Sequence, residues 1–101
     1  MSEITVRFHR LATEEYLKAF DKYALISLEL AQSFKDEINK AVEKIANNPH
    51  SWPEFGRTFR WVRTRRFPYL LYYQIQNESV EVLAVSHSRR RLGYWKKRRF
   101  Y

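Results

Sequence analysis

Residues 69–85 constrain the fold more than any other part of this sequence. Tyr69-Leu70-Leu71-Tyr72-Tyr73 runs on almost without a polar break to Ile75; Gln76-Asn77-Glu78-Ser79 is a short polar turn, and Val80-Glu81-Val82-Leu83-Ala84-Val85 follows. A strand wet on one face alternates apolar and polar residues, whereas a near-continuous apolar run suits a central strand buried on both faces. The brief polar interval then makes the two runs an antiparallel hairpin. The rest of the chain must supply its neighbours and its cover.

Ile4, Val6 and Phe8 alternate with Thr5 and Arg7, and Phe59 and Trp61 with Arg60 and Val62, the period of two expected of strands. Thr13 is placed to cap a helix with Glu14 and Glu15 in its first turn, at the positive end of the helix dipole. Tyr16, Ala19, Phe20 and Tyr23 then recur at helical spacing. Ser27 caps a second helix, on which Leu30, Phe34, Ile38, Ala41 and Ile45 form an apolar stripe. Lys35, Glu37, Lys40, Glu43 and Lys44 cover its other face. Asn47-Asn48-Pro49 ends it, because proline disfavours the helical region in the residue before it. Residues 48–56, with Pro49, Pro53 and Gly56, read as a loop pinned to the core by Trp52 and Phe55. Leu92-Gly93 breaks the pattern again, and residues 94–99 read as a short terminal helix or a tail.

The order β-α-α-β-β-β predicts an α+β domain, a helical hairpin packed on one face of a mostly antiparallel four-stranded sheet. The first strand has no hairpin partner nearby and returns beside a later one. The other sheet face stays at least partly open and is the expected working surface. With 101 residues, no repeat and no long polar linker, the chain reads as a single domain, residues 1–101.

Charge is divided along the chain. Residues 1–56 hold seven Lys/Arg and nine Asp/Glu, while residues 57–101 hold twelve Lys/Arg against only Glu78 and Glu81, within a net charge of +8. A half-chain this basic attracts nucleic acid, anionic membrane or an acidic protein segment over a Debye length of about 8–10 Å. Its excess is mostly arginine and sits beside tryptophan and tyrosine, types enriched in recognition surfaces. That favours a binding surface over a merely solubilising one.

Several chemistries are disfavoured. There is no cysteine, hence no disulfide, thiol nucleophile or thiolate metal site. His9, His50 and His87 are scattered, without the spacing of metal ligands. Gly56 and Gly93 are the only glycines, so no phosphate-cradling loop exists, and GxSxG is absent. No metal or other cofactor is expected. No stretch approaches 18 apolar residues and the N-terminus lacks a signal-like core, so a cytoplasmic protein without membrane contact is expected.

Metal-free RNA cleavage stays open. It needs a base for the 2′-hydroxyl, a cation for the developing phosphorane charge and an acid for the leaving oxygen. His87, Arg89 or Arg90, and Tyr94 have the required chemistry, joined by Glu54 or Arg63 if the fold gathers them. Each also has a plainer reading: His87 as a strand-end histidine bonded to backbone or to Tyr94, Trp95 as packing of the tail on the sheet. Arg65 and Arg66 similarly suit a solvated strand end that blocks edge-to-edge aggregation.

Arg66-Phe67-Pro68-Tyr69-Leu70-Leu71-Tyr72-Tyr73, residues 80–85, His87, Arg89-Arg90-Arg91 and Gly93-Tyr94-Trp95, with Trp52-Pro53 after Asn48-Pro49, resemble the RelE/ParE superfamily of type II toxin–antitoxin toxins, including plasmid-stabilisation proteins. The resemblance implies a growth-inhibiting bacterial toxin, held in a hetero-oligomer by a cognate antitoxin. RelE-type members cut mRNA on the translating ribosome; ParE-type members act on DNA gyrase. Tyr69 stands where RelE-type nucleases typically carry a strand arginine, whereas Arg90 and Tyr94 resemble their terminal arginine and tyrosine. His87 is shared by a broad ParE-like group. The resemblance therefore implies one of two sets. A nuclease would use Arg63, His87, Arg90 and Tyr94. A toxin acting by binding would contact its target or antitoxin through Arg60, Arg65, Arg66, Tyr69, Arg89, Arg91 and Trp95.

Overall fold

The computed structural model describes residues 4–99. Strand β1 (Thr5–Phe8) leads into helices α1 (Arg10–Ile26) and α2 (Leu28–Asn47), a 3-10 turn (Pro49–Ser51), and strands β2 (Glu54–Phe55), β3 (Phe59–Arg63), β4 (Tyr69–Gln76) and β5 (Ser79–His87). The sheet order is β1-β5-β4-β3-β2. Neighbours are antiparallel except β1, which runs parallel to β5 from Thr5 opposite Ser79 to Phe8 opposite Val82. A parallel pair needs a long crossover, and the helical hairpin is that crossover. The α+β class stands, with β4 central and the 69–85 hairpin as expected.

Helix starts follow local hydrogen-bonding chemistry. Ser27 caps α2 by accepting from the Leu30 N–H at 3.1 Å. Thr13 does not cap α1: the helix begins earlier, and His9 Nδ1 accepts from the Leu11 N–H at 3.0 Å. Glu14 and Glu15 thus lie beyond the first turn. The stripe Phe34, Ile38, Ala41 and Ile45 is buried against Val62, Leu71, Tyr73 and Val85 of the sheet. Glu37, expected on the solvated face, is instead buried, because it reaches across to the β3–β4 loop.

Two further departures concern the sheet. The expected loop contains β2, a two-residue fifth strand paired with β3 through Glu54 opposite Arg60. The second sheet face is also partly covered, with Arg63 still exposed on it. Residues 93–98 fold back as successive turns, with Lys96 N–H donating to Gly93 O and Arg98 N–H to Trp95 O. They lay Trp95 on Tyr72, stacked at 4.5 Å, with Phe59 and Phe55 edge-on at 4.8 and 5.5 Å. Aromatic pairs of this kind add about 0.5–1.5 kcal/mol each beyond their buried area. The tail is thus a layer of the core rather than a short helix; Phe100 and Tyr101 lie outside the described residues.

Candidate functional site

Antiparallel register brings the arginines together. The end of β3, the start of β4 and the end of β5 share one end of the sheet, with Arg63 opposite Leu70, Leu70 opposite Ser86 and Tyr69 opposite His87. Thr64 closes the β3–β4 loop, its Oγ1 donating to Phe67 O at 2.6 Å. Ser88 N–H donates to Pro68 O at 2.7 Å and ties that loop to the segment after β5. Arg63, Arg65 and Arg66 therefore lie at the same sheet end as Arg89, Arg90 and Arg91. Glu37 steadies the loop from α2, accepting from the Arg65 N–H at 3.1 Å and sitting 3.9 Å from Arg66 Nε.

His87 packs edge-on to Tyr69, centroids 5.2 Å apart, and its Nδ1 accepts from the Arg89 N–H at 3.1 Å. Burial, then the Lys22 and Arg89 cations, hold its pKa below the usual histidine value. A neutral ring accepting at Nδ1 carries its proton on Nε2 and offers a donor there, not a base. The strand-end reading of His87 describes this arrangement. Lys18 and Lys22 of α1 line the same cavity, of about 180 Å³, beside His87, Tyr69 and Arg90. Sequence reasoning missed them, although Glu15, Lys18 and Lys22 fall at i, i+3 and i+7 on one helix face.

Arg90 lies 3.9 Å over the Tyr94 ring, and the Tyr94 hydroxyl donates to Glu15 Oε2 at 2.6 Å. Burial first, then the bond to Glu15, push the Tyr94 phenol up to about 12. Such a phenol neither gains nor loses a proton readily near neutrality. From sequence, Glu15 is expected only to complement the helix dipole. It also accepts from the Val85 N–H at 3.0 Å and pairs with Arg98 at 2.9 Å.

The remaining candidates separate. Val62, Leu71 and Val85 face the helices, so by alternation Arg63, Leu70 and Ser86 face the opposite way, toward the Trp95 side. Arg63 and His87 thus lie on opposite faces. Glu54 is on the outermost strand, with β3 and β4 between it and β5. Arg60 is tethered to Trp52 O at 2.6 Å and to Glu54 at 3.3 Å. Trp95 is fully buried and Tyr69 is largely buried by Tyr23 and Phe34, so neither is exposed as the arginines are. Arg65, Arg66, Arg89 and Arg91 are exposed. Among the described residues, no group of three or more His, Cys, Asp or Glu is placed to hold a metal ion, and no helix is long and apolar enough to cross a membrane.

A solved structure of the chromosomal ParDE toxin–antitoxin system from P. aeruginosa is similar, with a TM-score of 0.73 and 17% identity over 84% of this chain and 96% of that chain. At that identity the likeness speaks for the fold. No curated protein gives a significant sequence match. The family model described as the ParE toxin of the type II toxin–antitoxin system parDE matches residues 6–92, from within β1 past the arginine run that follows β5. The chain therefore belongs to the ParE toxin family of type II toxin–antitoxin systems.

Proposed function

We propose that this toxin stops growth by binding DNA gyrase through the arginine-rich end of its sheet, with no covalent chemistry of its own. The observation that carries this reading is the scattering of the nuclease candidates. Arg63 and His87 lie on opposite sheet faces, and the Tyr94 hydroxyl is committed to Glu15. Arg65, Arg66, Arg89, Arg90 and Arg91 meanwhile form an exposed cationic surface suited to electrostatic docking. The target places the toxin in the cytoplasm.

A cognate antitoxin neutralises it in a hetero-oligomer. Its binding segment is acidic and apolar, complementing the arginines. Because the tail covers the aromatic sheet face, the apolar contacts come from the exposed Leu17, Leu25, Ile26, Leu28 or Leu92. The test induces the toxin alone, then measures plasmid supercoiling, inhibition of purified gyrase and transcript ends. Altered supercoiling with intact mRNA is expected, and co-expressed antitoxin restores growth. In-frame codon cuts that vanish in Arg90→Ala would overturn the reading in favour of a ribosome-dependent nuclease.

A further inference from the structure

The cavity between α1 and the end of β5 is small, and its charge is lopsided. Lys18 and Lys22 of α1 line it together with His87 and Arg90. The acid that borders it, Glu15, is already committed. Its Oε1 accepts from the Val85 N–H and Arg98, and its Oε2 from the Tyr94 hydroxyl and Arg98. Lys18, Lys22 and Arg90 have no ion-pair partner among the described residues. Like charges converging on about 180 Å³ repel one another, and an anion with several acceptor oxygens relieves that repulsion.

Geometry narrows the anion. The Arg90 guanidinium is held over the Tyr94 ring, its Cζ 3.9 Å from the centroid, and a guanidinium is a planar fork of N–H donors that matches phosphate oxygens. His87 keeps Nδ1 on the Arg89 N–H and so has Nε2–H to offer. Beyond the cavity, exposed Arg89 and Arg91 continue the positive charge outward, which suits a row of phosphates rather than an isolated one. Burial is the main cause of the lowered His87 pKa, and the Lys22 and Arg89 cations add to it.

We propose that this cavity is a phosphate site for a nucleic-acid strand, in which Lys18, Lys22 and Arg90 grip one backbone phosphate and His87 donates to it, with neighbouring phosphates passing over Arg89 and Arg91. The site holds whichever protein the toxin arrests, so it is tested without any target. The purified full chain is titrated into a short fluorescein-labelled DNA duplex or single strand at several salt concentrations. Lys18→Ala with Lys22→Ala weakens binding by about tenfold and lowers the salt slope by about one. Lys35→Ala with Lys40→Ala, an equal charge loss on α2 away from the cavity, changes affinity by about twofold or less. Inorganic phosphate shifts the His87 imidazole resonances in the native chain but not in the Lys18/Lys22 variant. Equal losses in the two lysine pairs, absence of nucleic-acid binding, or unmoved His87 resonances would each overturn the proposal. So would cavity-dependent binding of a polyglutamate peptide or of anionic vesicles in place of the strand.

Discussion

Arg98 donates from both terminal guanidinium nitrogens to Glu15, 83 positions earlier in the chain, at 3.0 and 2.9 Å, and its Nη1 also reaches Leu83 O at 2.7 Å. The pair sits where β5 loses its neighbour. Strand β1 ends at Phe8, opposite Val82, and Leu83 is the extra residue of a bulge between the Tyr72–Ala84 and Tyr73–Val82 pairs. Past that point Glu15 accepts from Val85 N–H and Arg98 donates to Leu83 O, so two side chains bond backbone that lacks a strand beside it.

Removing one member strands a largely buried charge and frees a backbone group. Arg98→Ala and Glu15→Gln are each expected to lower unfolding stability by about 2–4 kcal/mol, read from the urea midpoint. Arg99→Ala, exposed beside it, is expected to stay within about 0.5 kcal/mol. In a double-mutant cycle the Glu15 and Arg98 effects are strongly non-additive.

Trp95 yields a second expectation because its indole N–H is buried with no hydrogen-bond partner among the described residues. Trp95→Ala empties the layer over Tyr72 and costs about 3–5 kcal/mol. Trp95→Phe keeps an aromatic ring and removes a donor whose desolvation costs about 1–3 kcal/mol, so its net loss is about 1 kcal/mol or less. Denaturant unfolding followed by circular dichroism distinguishes the two.

What sequence carried here was local, and what it concealed was long-range. The apolar run into β4, the stripe on α2 and the Ser27 cap each depend on neighbours within a turn or a strand, so their patterns are readable. Trp95 reads as packing of the tail on the sheet, but its partners Tyr72, Phe59 and Phe55 are distant in sequence, so where it packs was not legible. Glu15 and Glu37 look like ordinary helix-surface acids, yet each accepts a backbone N–H from a remote segment. The strand β2 has only two residues, between Pro53 and Gly56, too few to show a period. His9 hid the start of α1 because histidine is not among the favoured capping residues. At the candidate site the arginines were legible by composition. Lys18 and Lys22 were not, since only the packing of α1 on β5 aims them at His87.

Alkaline stability tests the buried phenols. The Tyr73 hydroxyl donates to Pro49 O at 2.5 Å, and burial pushes its pKa up to about 12, against a smaller opposing effect of Arg60. The folded chain thus holds this proton more tightly than the unfolded chain, whose tyrosine titrates near 10. The stability it contributes is complete below about pH 10 and is lost as pH rises toward 12, by about 2–3 kcal/mol for a shift of this size. Tyr73→Phe is expected to lower stability at neutral pH by about 1–2 kcal/mol and to flatten the decline above pH 10. Thermal midpoints followed from neutral to strongly alkaline buffer check both.

Tyr94 and Arg90 separate binding from catalysis. Tyr94→Phe deletes the hydroxyl that donates to Glu15 but keeps the ring beneath Arg90. If toxicity rests on docking, Tyr94→Phe still arrests growth after a stability loss of about 1–2 kcal/mol, whereas Arg90→Ala weakens arrest by removing an exposed docking cation. A phenol acting as general acid would instead make Tyr94→Phe as crippling as losing Arg90, by about 10²–10⁴-fold in rate. Colony counts after induction, with toxin levels matched by immunoblot, read the difference. Arrest abolished in Tyr94→Phe at an unchanged protein level would count against a toxin that acts by binding alone.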